Sequence, residues 1–137
     1  MALAERDGLH TLIYFDYRRN MEIETASTCL AALALPGRLQ VFRMLVQAGV
    51  LGLPAGEIAR KLDVPPSSLS ANLNVLASAG LVRSRRQGRS IIYTAEYDRM
   101  RELLSFLVED CCGGSPEICS PLADVIQTAR CTPKEPA

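Results

Sequence analysis

The order of four short segments between Pro54 and Thr94 constrains the fold of this chain more than any other feature of its sequence. Helical spacing predicts a short helix from about Pro54 to Leu62, followed by a turn at Asp63-Val64-Pro65. A second helix begins at Pro66 and ends near Ala79-Gly80. Two strand-forming runs follow, Leu81 to Arg86 and Ser90 to Thr94, with Gln87-Gly88 as the expected hairpin turn. Two helices, a tight turn and a hairpin in this order predict a winged helix-turn-helix.

The remaining segments with regular apolar spacing predict helices, so the expected fold is mainly α with a small β-hairpin. They run from Glu22 to Ala34, from Pro36 to about Gly49, from Asp98 to Asp110 and from Pro121 to Ala129. Hydrophobic residues make up 48% of the 137-residue chain, which is enough for one core. The residues expected to face that core are Ile23, Ala26, Leu30 and Leu33 in the first helix, Leu39, Phe42, Leu45 and Val46 in the second, and Met100, Leu103, Leu104, Leu107 and Val108 in the fifth.

Three regions are expected along the chain. Residues 1–20 form either an extension ahead of a natural start at Met21 or an arm that packs on the domain. Residues 21–121 form the winged helix-turn-helix domain, and residues 122–137 form a short helix and tail. The first twenty residues lack a secretory h-region, and no apolar run is long enough to cross a membrane. We therefore expect a cytoplasmic protein without a membrane partner.

The helix that begins at Pro66 has the features of a DNA-reading element. Its expected buried stripe is Leu69, Leu73, Leu76 and Ala77. The opposite face is small, polar and uncharged, so it can approach a major groove closely, and Ser and Asn can bond base edges or phosphates. An ordinary solvated face is the alternative, although surface helices usually carry Lys and Glu. The expected DNA-binding residues of this helix are Ser67, Ser68, Ser70, Ala71, Asn72 and Asn74.

Four arginines lie within seven residues of the predicted hairpin, in a chain whose net charge is zero. Arginine can contact phosphates with two hydrogen bonds or enter a minor groove. Because the chain has no acid from Leu69 to Ala95, this surface is locally basic. The alternative is a charged edge that prevents strand pairing. The expected wing contacts to DNA are Arg83, Arg85, Arg86 and Arg89.

Three of the five cysteines fall within nine residues, in Cys111-Cys112-Gly113-Gly114-Ser115-Pro116-Glu117-Ile118-Cys119. Gly113-Gly114 would let the chain turn back, so that Cys119 could approach Cys111 and Cys112. Three thiolates suit a soft centre, and trivalent arsenic or antimony is complete with three sulfur ligands. The alternatives are structural cysteines, a disulfide redox switch, or a zinc, cadmium or copper(I) site completed by Cys131 or a carboxylate. Cys29 is expected to be a small core residue, and Cys131 is unassigned.

Residues Met21 to about Pro121 resemble the ArsR/SmtB family of metalloregulatory repressors. The resemblance lies in Leu30 to Leu39, in Glu57-Ile58-Ala59 with Val64 to Ser70, and in Leu76 to Val82 with the arginine-rich hairpin. It implies a homodimer joined by the first and fifth helices and bound to an inverted-repeat operator. Many relatives have His where this chain has Asn72, which affects the expected base preference.

The cysteines point to one subgroup of that family. Its best-known arsenic sensors carry a Cys-x-Cys pair on the first helix of the helix-turn-helix, but Leu53 to Arg60 contains no Cys. Zinc sites on the fifth helix use His, and Asp98 to Asp110 contains no His. The chain is instead similar to the arsenite-binding subgroup with a Cys-Cys pair and a third Cys just after the fifth helix.

The sequence therefore predicts a repressor that leaves double-stranded operator DNA on binding As(III), with Sb(III) as a further inducer and without an organic cofactor. A response to another thiophilic metal or to thiol oxidation is the alternative. An enzyme is not expected, because the chain has no Cys-x-x-Cys motif and its residues cannot assemble a His or Ser triad.

Overall fold

A computed structural model describes residues 21–108 and 116–128 of the chain. It divides between Phe106 and Leu107 into two compact units. The larger unit holds helices α1 (Ile23–Leu33), α2 (Pro36–Ala48), α3 (Ala55–Leu62) and α4 (Pro66–Ser78), with a 3₁₀ turn at Gly49–Leu51. Strands β1 (Leu53–Pro54), β2 (Val82–Gln87) and β3 (Ser90–Ala95) complete it, and α5 (Tyr97–Val108) runs from it into the second unit, which contains α6 (Pro116–Thr128).

Local signals in the sequence explain where the central helices start and stop. Pro36 and Pro66 occupy the first turns of α2 and α4, where a missing N–H costs nothing. Asp63 ends α3 in the left-handed region, at φ 51°. Gly80 ends α4 at φ 76°, and the N–H of Leu81 donates to the Leu76 carbonyl at 3.0 Å, as in a Schellman motif. The predicted helix-turn-helix, α3 to α4, is confirmed.

The sheet has three antiparallel strands in the order β1-β3-β2, one strand more than the predicted hairpin. β1 pairs Leu53 with Tyr93 and Pro54 with Ile92. It is only two residues long, too short to show an alternating pattern. The hairpin turn also differs from the prediction, since Gln87 pairs with Ser90 and the turn is therefore Gly88-Arg89. Gly88 has φ 62° at the first turn position, where a type II′ turn favours glycine.

The core of the larger unit lies where α1, α2, α3 and α4 meet the buried residues of the sheet. Its largest fully buried side chains are Leu45, Ile58, Leu69, Leu73, Leu76, Leu81, Val41 and Cys29. In α2 the prediction was right for Phe42 and Leu45 and wrong for Leu39, which is exposed while Val41 is buried in its place.

α1 is rotated relative to the predicted stripe. It buries Ala26, as predicted, together with Cys29 and Ala32, whereas Ile23 and Leu30 of the predicted stripe are 68% and 44% exposed. The small residues permit close packing on α4, and the Cys29 thiol donates to the Ala79 carbonyl at 3.4 Å. The expectation of Cys29 as a small core residue is confirmed.

Two further helix predictions need correction. In α5, Leu103 is buried as expected, but Leu104 and Leu107 are exposed. α6 begins at Pro116 and not at Pro121, which lies inside the helix. The sequence Ser115-Pro116-Glu117 carries a helix-start signal that outweighs the missing N–H of Pro121. The expected boundary between residues 121 and 122 thus falls within α6.

Candidate nucleic-acid interface

α4 presents a continuous uncharged surface opposite its buried leucines. Leu69, Leu73 and Leu76 are buried, as predicted from their spacing. Ala77 is exposed, which corrects its place in the predicted stripe. Because the three leucines hold one side of the helix in the core, the opposite side faces outward along its whole length. The exposed residues there are Ser67, Ser68, Ser70, Ala71, Asn74, Val75 and Ser78.

Asn72 differs from the other candidate DNA-binding residues of α4. It is half-buried, and its Nδ2 lies 3.5 Å from where a side-chain carbon on Gly37 would stand. Asn72 therefore lies against the start of α2 and at the border of the exposed face. Val75 was not among the predicted residues, although it is exposed on the same helix beside Asn74. Periodicity alone could have placed Val75 outside the leucine stripe.

The exposed face of α4 can offer hydroxyl and amide groups to DNA without bringing charge. No Asp, Glu, Lys or Arg occurs between Pro66 and Ser78. Serine donates and accepts through one oxygen, and an asparagine amide can form two hydrogen bonds with adenine. The face can thus discriminate bases, while attraction to the phosphates must come from elsewhere in the molecule.

The hairpin arginines divide into two pairs with different surroundings. Arg83 Nε lies 2.9 Å from Glu96 Oε1, although these two atoms are not aligned as a hydrogen bond. Arg85 Nη2 donates to the Leu51 carbonyl at 2.8 Å. Both inner arginines are therefore engaged within the protein, which the sequence prediction did not foresee.

Arg86 and Arg89 form the second pair, at the outer part of the hairpin. Arg86 pairs across the ladder with Ile91, and Arg89 lies in the turn itself. Within the described ranges 21–108 and 116–128, neither guanidinium has a hydrogen-bond or ion-pair partner. An exposed guanidinium without an internal partner is suited to bidentate contact with a phosphate.

The cysteines expected to bind the inducer are only partly within the described chain. Cys111 and Cys112 lie outside the described residues, as does Cys131. Cys119 is half-buried near the start of α6 and is disulfide-bonded. Cys29 has a free thiol, and burial raises its pKa. A buried, protonated thiol is chemically inert, so Cys29 does not belong to a reactive site.

Two searches over the described residues gave negative findings. Between 21 and 108 and between 116 and 128, no group of three or more His, Cys, Asp or Glu could hold a metal ion. In the same ranges no single helix is long and apolar enough to cross a membrane. The pair Ile23–Leu33 and Pro36–Leu51 passes that test only jointly, with a bend of 99°, and both of its members contribute side chains to the core.

Known proteins with similar sequences or structures are transcriptional regulators. A helix-turn-helix domain family matches residues 33–85. The nodulation protein NolR of Rhizobium meliloti is 30% identical over 98 residues, which cover 72% of this chain and 78% of that protein.

Two solved structures extend the comparison. An ArsR-like transcriptional regulator from Rhodococcus sp. RHA1 is 26% identical, with a TM-score of 0.57 over 78% of this chain and 94% of that one. The homodimeric winged helix-turn-helix DNA-binding domain of a possible ArsR-family regulator from Mycobacterium bovis is 31% identical, with a TM-score of 0.53 over 63% and 78%.

The fold, the exposed polar face of α4 and the basic hairpin agree with these relatives. The similar proteins are transcriptional regulators and not enzymes. The chain belongs to the ArsR family of winged helix-turn-helix proteins and is a DNA-binding transcriptional regulator.

Proposed function

We propose that this regulator is a cytoplasmic repressor that leaves its operator when Cys111, Cys112 and Cys119 bind trivalent arsenic. The observation that carries the proposal is the spacing of the three thiols within nine residues, following α5 in the chain. Thiolates favour a soft centre, and three sulfur ligands complete As(III) or Sb(III), whereas structural zinc takes four ligands.

DNA binding divides between two elements in this proposal. The exposed serines of α4 and Asn74 contact base edges, and the outer wing arginines contact phosphates. α4 enters the major groove, as the second helix of a helix-turn-helix does, and the two subunits read half-sites about 34 Å apart. The operator is therefore an inverted repeat.

A second copy of the chain is the partner that this arrangement requires. Ile23 and Leu30 on α1 and Leu104 on α5 are large apolar residues left exposed in the single chain. Because each is already partly buried, covering its remaining surface would contribute about 1–2 kcal/mol. The homodimeric state of the Mycobacterium bovis domain supports dimerisation here.

Release of the repressor from DNA would follow from the position of the three thiols, which come after α5 in the chain. Drawing Cys119 towards Cys111 and Cys112 would change the end of α5, and with it the spacing of the two α4 helices in the dimer. A coupling free energy of about 1–3 kcal/mol would weaken DNA binding roughly 5–150-fold.

One observation favours a second candidate function, release by thiol oxidation. Cys119 is disulfide-bonded in the structure. Oxidation of two thiols to a disulfide would release two electrons and two protons to an oxidant such as a peroxide. The same cysteine must be reduced to bind arsenic, so the two signals would exclude each other.

The deciding experiment measures operator binding by the reduced, full-length protein during separate titrations with arsenite, antimonite, zinc and cadmium. A further titration uses diamide, a thiol oxidant, without metal. Cys111→Ser, Cys112→Ser and Cys119→Ser should each keep operator binding and lose the arsenite response, because a hydroxyl is a poor ligand for a soft centre. Cys131→Ser is the matched control and should respond like the parent.

The outcomes separate the two candidates. A parent-like arsenite response from the Cys111 and Cys112 variants would contradict the three-thiolate site. Release by diamide without release by arsenite would favour the redox function instead. Loss of operator binding in the reduced variants, before any inducer is added, would indicate that these cysteines are structural.

A further inference from the structure

Arg85, one of the two inner arginines of the hairpin, forms a hydrogen bond with a distant part of the main chain. Its Nη2 donates to the main-chain carbonyl of Leu51 at 2.8 Å, 34 residues away in the sequence. Leu51 ends the 3₁₀ turn that joins α2 to β1. The wing is thus joined to the connection that leads into the helix-turn-helix.

This contact spans all three strands of the sheet. Arg85 on β2 pairs with Ile92 on β3, and Ile92 pairs in turn with Pro54 on β1. The Arg85 side chain therefore reaches from one outer strand, across the central strand, to the residues that precede the other outer strand. Its hydrogen bond fixes the two outer edges of the sheet to each other.

The turn that carries the acceptor carbonyl packs closely against β3. Gly52, next to Leu51, has φ 69°, and a side-chain carbon there would lie against the Tyr93 carbonyl oxygen. The Gly52 N–H donates to the Gly49 carbonyl at 3.2 Å, which closes the turn. Because the turn lies directly on β3, a bond from Arg85 to its carbonyl can define the position of the wing.

We propose that Arg85 is a positioning residue that holds the wing relative to the helix-turn-helix, and that Arg86 and Arg89 make the wing's phosphate contacts. Arg86 is the neighbouring residue on β2, with its side chain on the opposite face of the strand. The two adjacent arginines therefore have the same charge and different roles. This inference rests on the proposed role of the wing in DNA binding.

The first test uses the full-length protein without DNA. Amide hydrogen exchange is compared for the parent, Arg85→Ala and the matched control Arg86→Ala, over residues 49–54 and 90–94. Arg85→Ala should speed exchange in both segments, because the link between the outer strands is lost. Arg86→Ala should exchange like the parent. Thermal unfolding verifies that both variants are folded.

The second test is a double-mutant cycle on DNA affinity. Arg86→Ala/Arg89→Ala should weaken binding to any duplex and make the slope of log K against log salt less negative by about 0.9 for each lost contact. Arg85→Ala should weaken binding in the parent but have little further effect in that double variant, since it acts through the two outer arginines. The departure from additivity should be about twofold or more.

Either of two results would overturn the inference. One is parent-like exchange in Arg85→Ala. The other is an additive loss of affinity with its own decrease in salt slope, which would make Arg85 a phosphate contact. Parent-like binding by Arg86→Ala/Arg89→Ala would instead contradict the role of the wing in DNA binding, whatever the exchange data show.

Discussion

α4 and α6 are both 13 residues long and both begin with proline, yet they expose opposite kinds of surface. α4 buries Leu69, Leu73 and Leu76 and turns serines outward. α6 leaves Ile118 and Val125 56% and 64% exposed. The same proline start signal thus produces two helices of the same length, but packing within each unit decides which face of the helix is buried. The apolar side of α4 is packed in the core of its unit, whereas Ile118 and Val125 of α6 are largely exposed.

The largest expected effect tests that contrast directly. Leu73→Ala should lower the free energy of unfolding by about 2–5 kcal/mol, as a truncation in a well-packed core. Val125→Ala, an apolar truncation on α6, should change it by no more than about 0.5 kcal/mol. Urea unfolding followed by circular dichroism, at one fixed protein concentration, measures both. A large loss for Val125→Ala would mean that α6 is covered in solution and would remove the contrast.

A second comparison separates backbone strain from steric clash in the larger unit. Gly49 and Gly52 both have positive φ, at 77° and 69°. A side-chain carbon would meet nothing within 4 Å at Gly49 but would clash with the Tyr93 carbonyl oxygen at Gly52. Gly52→Ala should therefore be less stable than Gly49→Ala by about 1–3 kcal/mol, the usual cost of overpacking. Equal melting temperatures of the two variants would show that the turn can move away from β3.

The outward face of α4 should affect recognition without affecting stability. Asn74→Ala should reduce the preference for the operator over random duplex DNA by about 1–3 kcal/mol, if its amide forms two hydrogen bonds with a base edge. Ser70→Ala, which removes a single hydroxyl, should reduce this preference by about 0.5–1.5 kcal/mol. Ser120→Ala on α6 provides an exposed serine on a helix of equal length as the control. Competition binding measures the preference. If Ser70→Ala and Asn74→Ala also unfold as easily as Leu73→Ala, the helix is rotated from the position described.

The smallest expected effect concerns Cys29. Burial raises the pKa of its thiol above the value in the unfolded chain. The stability it contributes is thus fully present below the unfolded pKa, about 8.5. That stability is lost as the pH rises towards the folded pKa. The free energy of unfolding should decrease from pH 7 to pH 10 more steeply in the parent than in Cys29→Ala. Parallel pH profiles would show that the thiol ionises without cost.

Sequence patterns predicted the elements whose signals are local. Pro66, Gly80 and the leucine spacing in α4 are such signals, and the helix lies where they placed it. The pattern failed in α1, where Ile23 and Leu30 are apolar at the right spacing but face outward. Apolar spacing does not distinguish a face that meets the chain's own core from one left uncovered. The buried side of α1 uses small residues, with Ala26 from the predicted stripe and Cys29 from outside it.

The sequence predicted the residue types of the candidate DNA-binding site better than it predicted the role of each residue. An arginine cluster is visible in the sequence. The acceptor for Arg85, however, is the main-chain carbonyl of Leu51, 34 residues away, and the residue type at a position does not show that its carbonyl will accept such a bond. The contact between Arg83 and Glu96 could be predicted only from the correct pairing of β2 with β3. That pairing changes when the hairpin turn moves by one residue. The roles of Cys111 and Cys112 remain predictions from spacing.

The absence of charge from α4 has a consequence for how this regulator can change. If α4 carries base discrimination and the wing carries phosphate attraction, specificity and strength of binding depend on separate residues. A substitution among the serines of α4 would change which operator is preferred and leave the salt dependence almost as it was. A substitution at Arg86 or Arg89 would change the salt dependence of binding and leave the operator preference almost as it was. Such a protein can acquire a new target sequence by small steps, because the wing maintains its general affinity for DNA while substitutions in α4 change the preferred sequence.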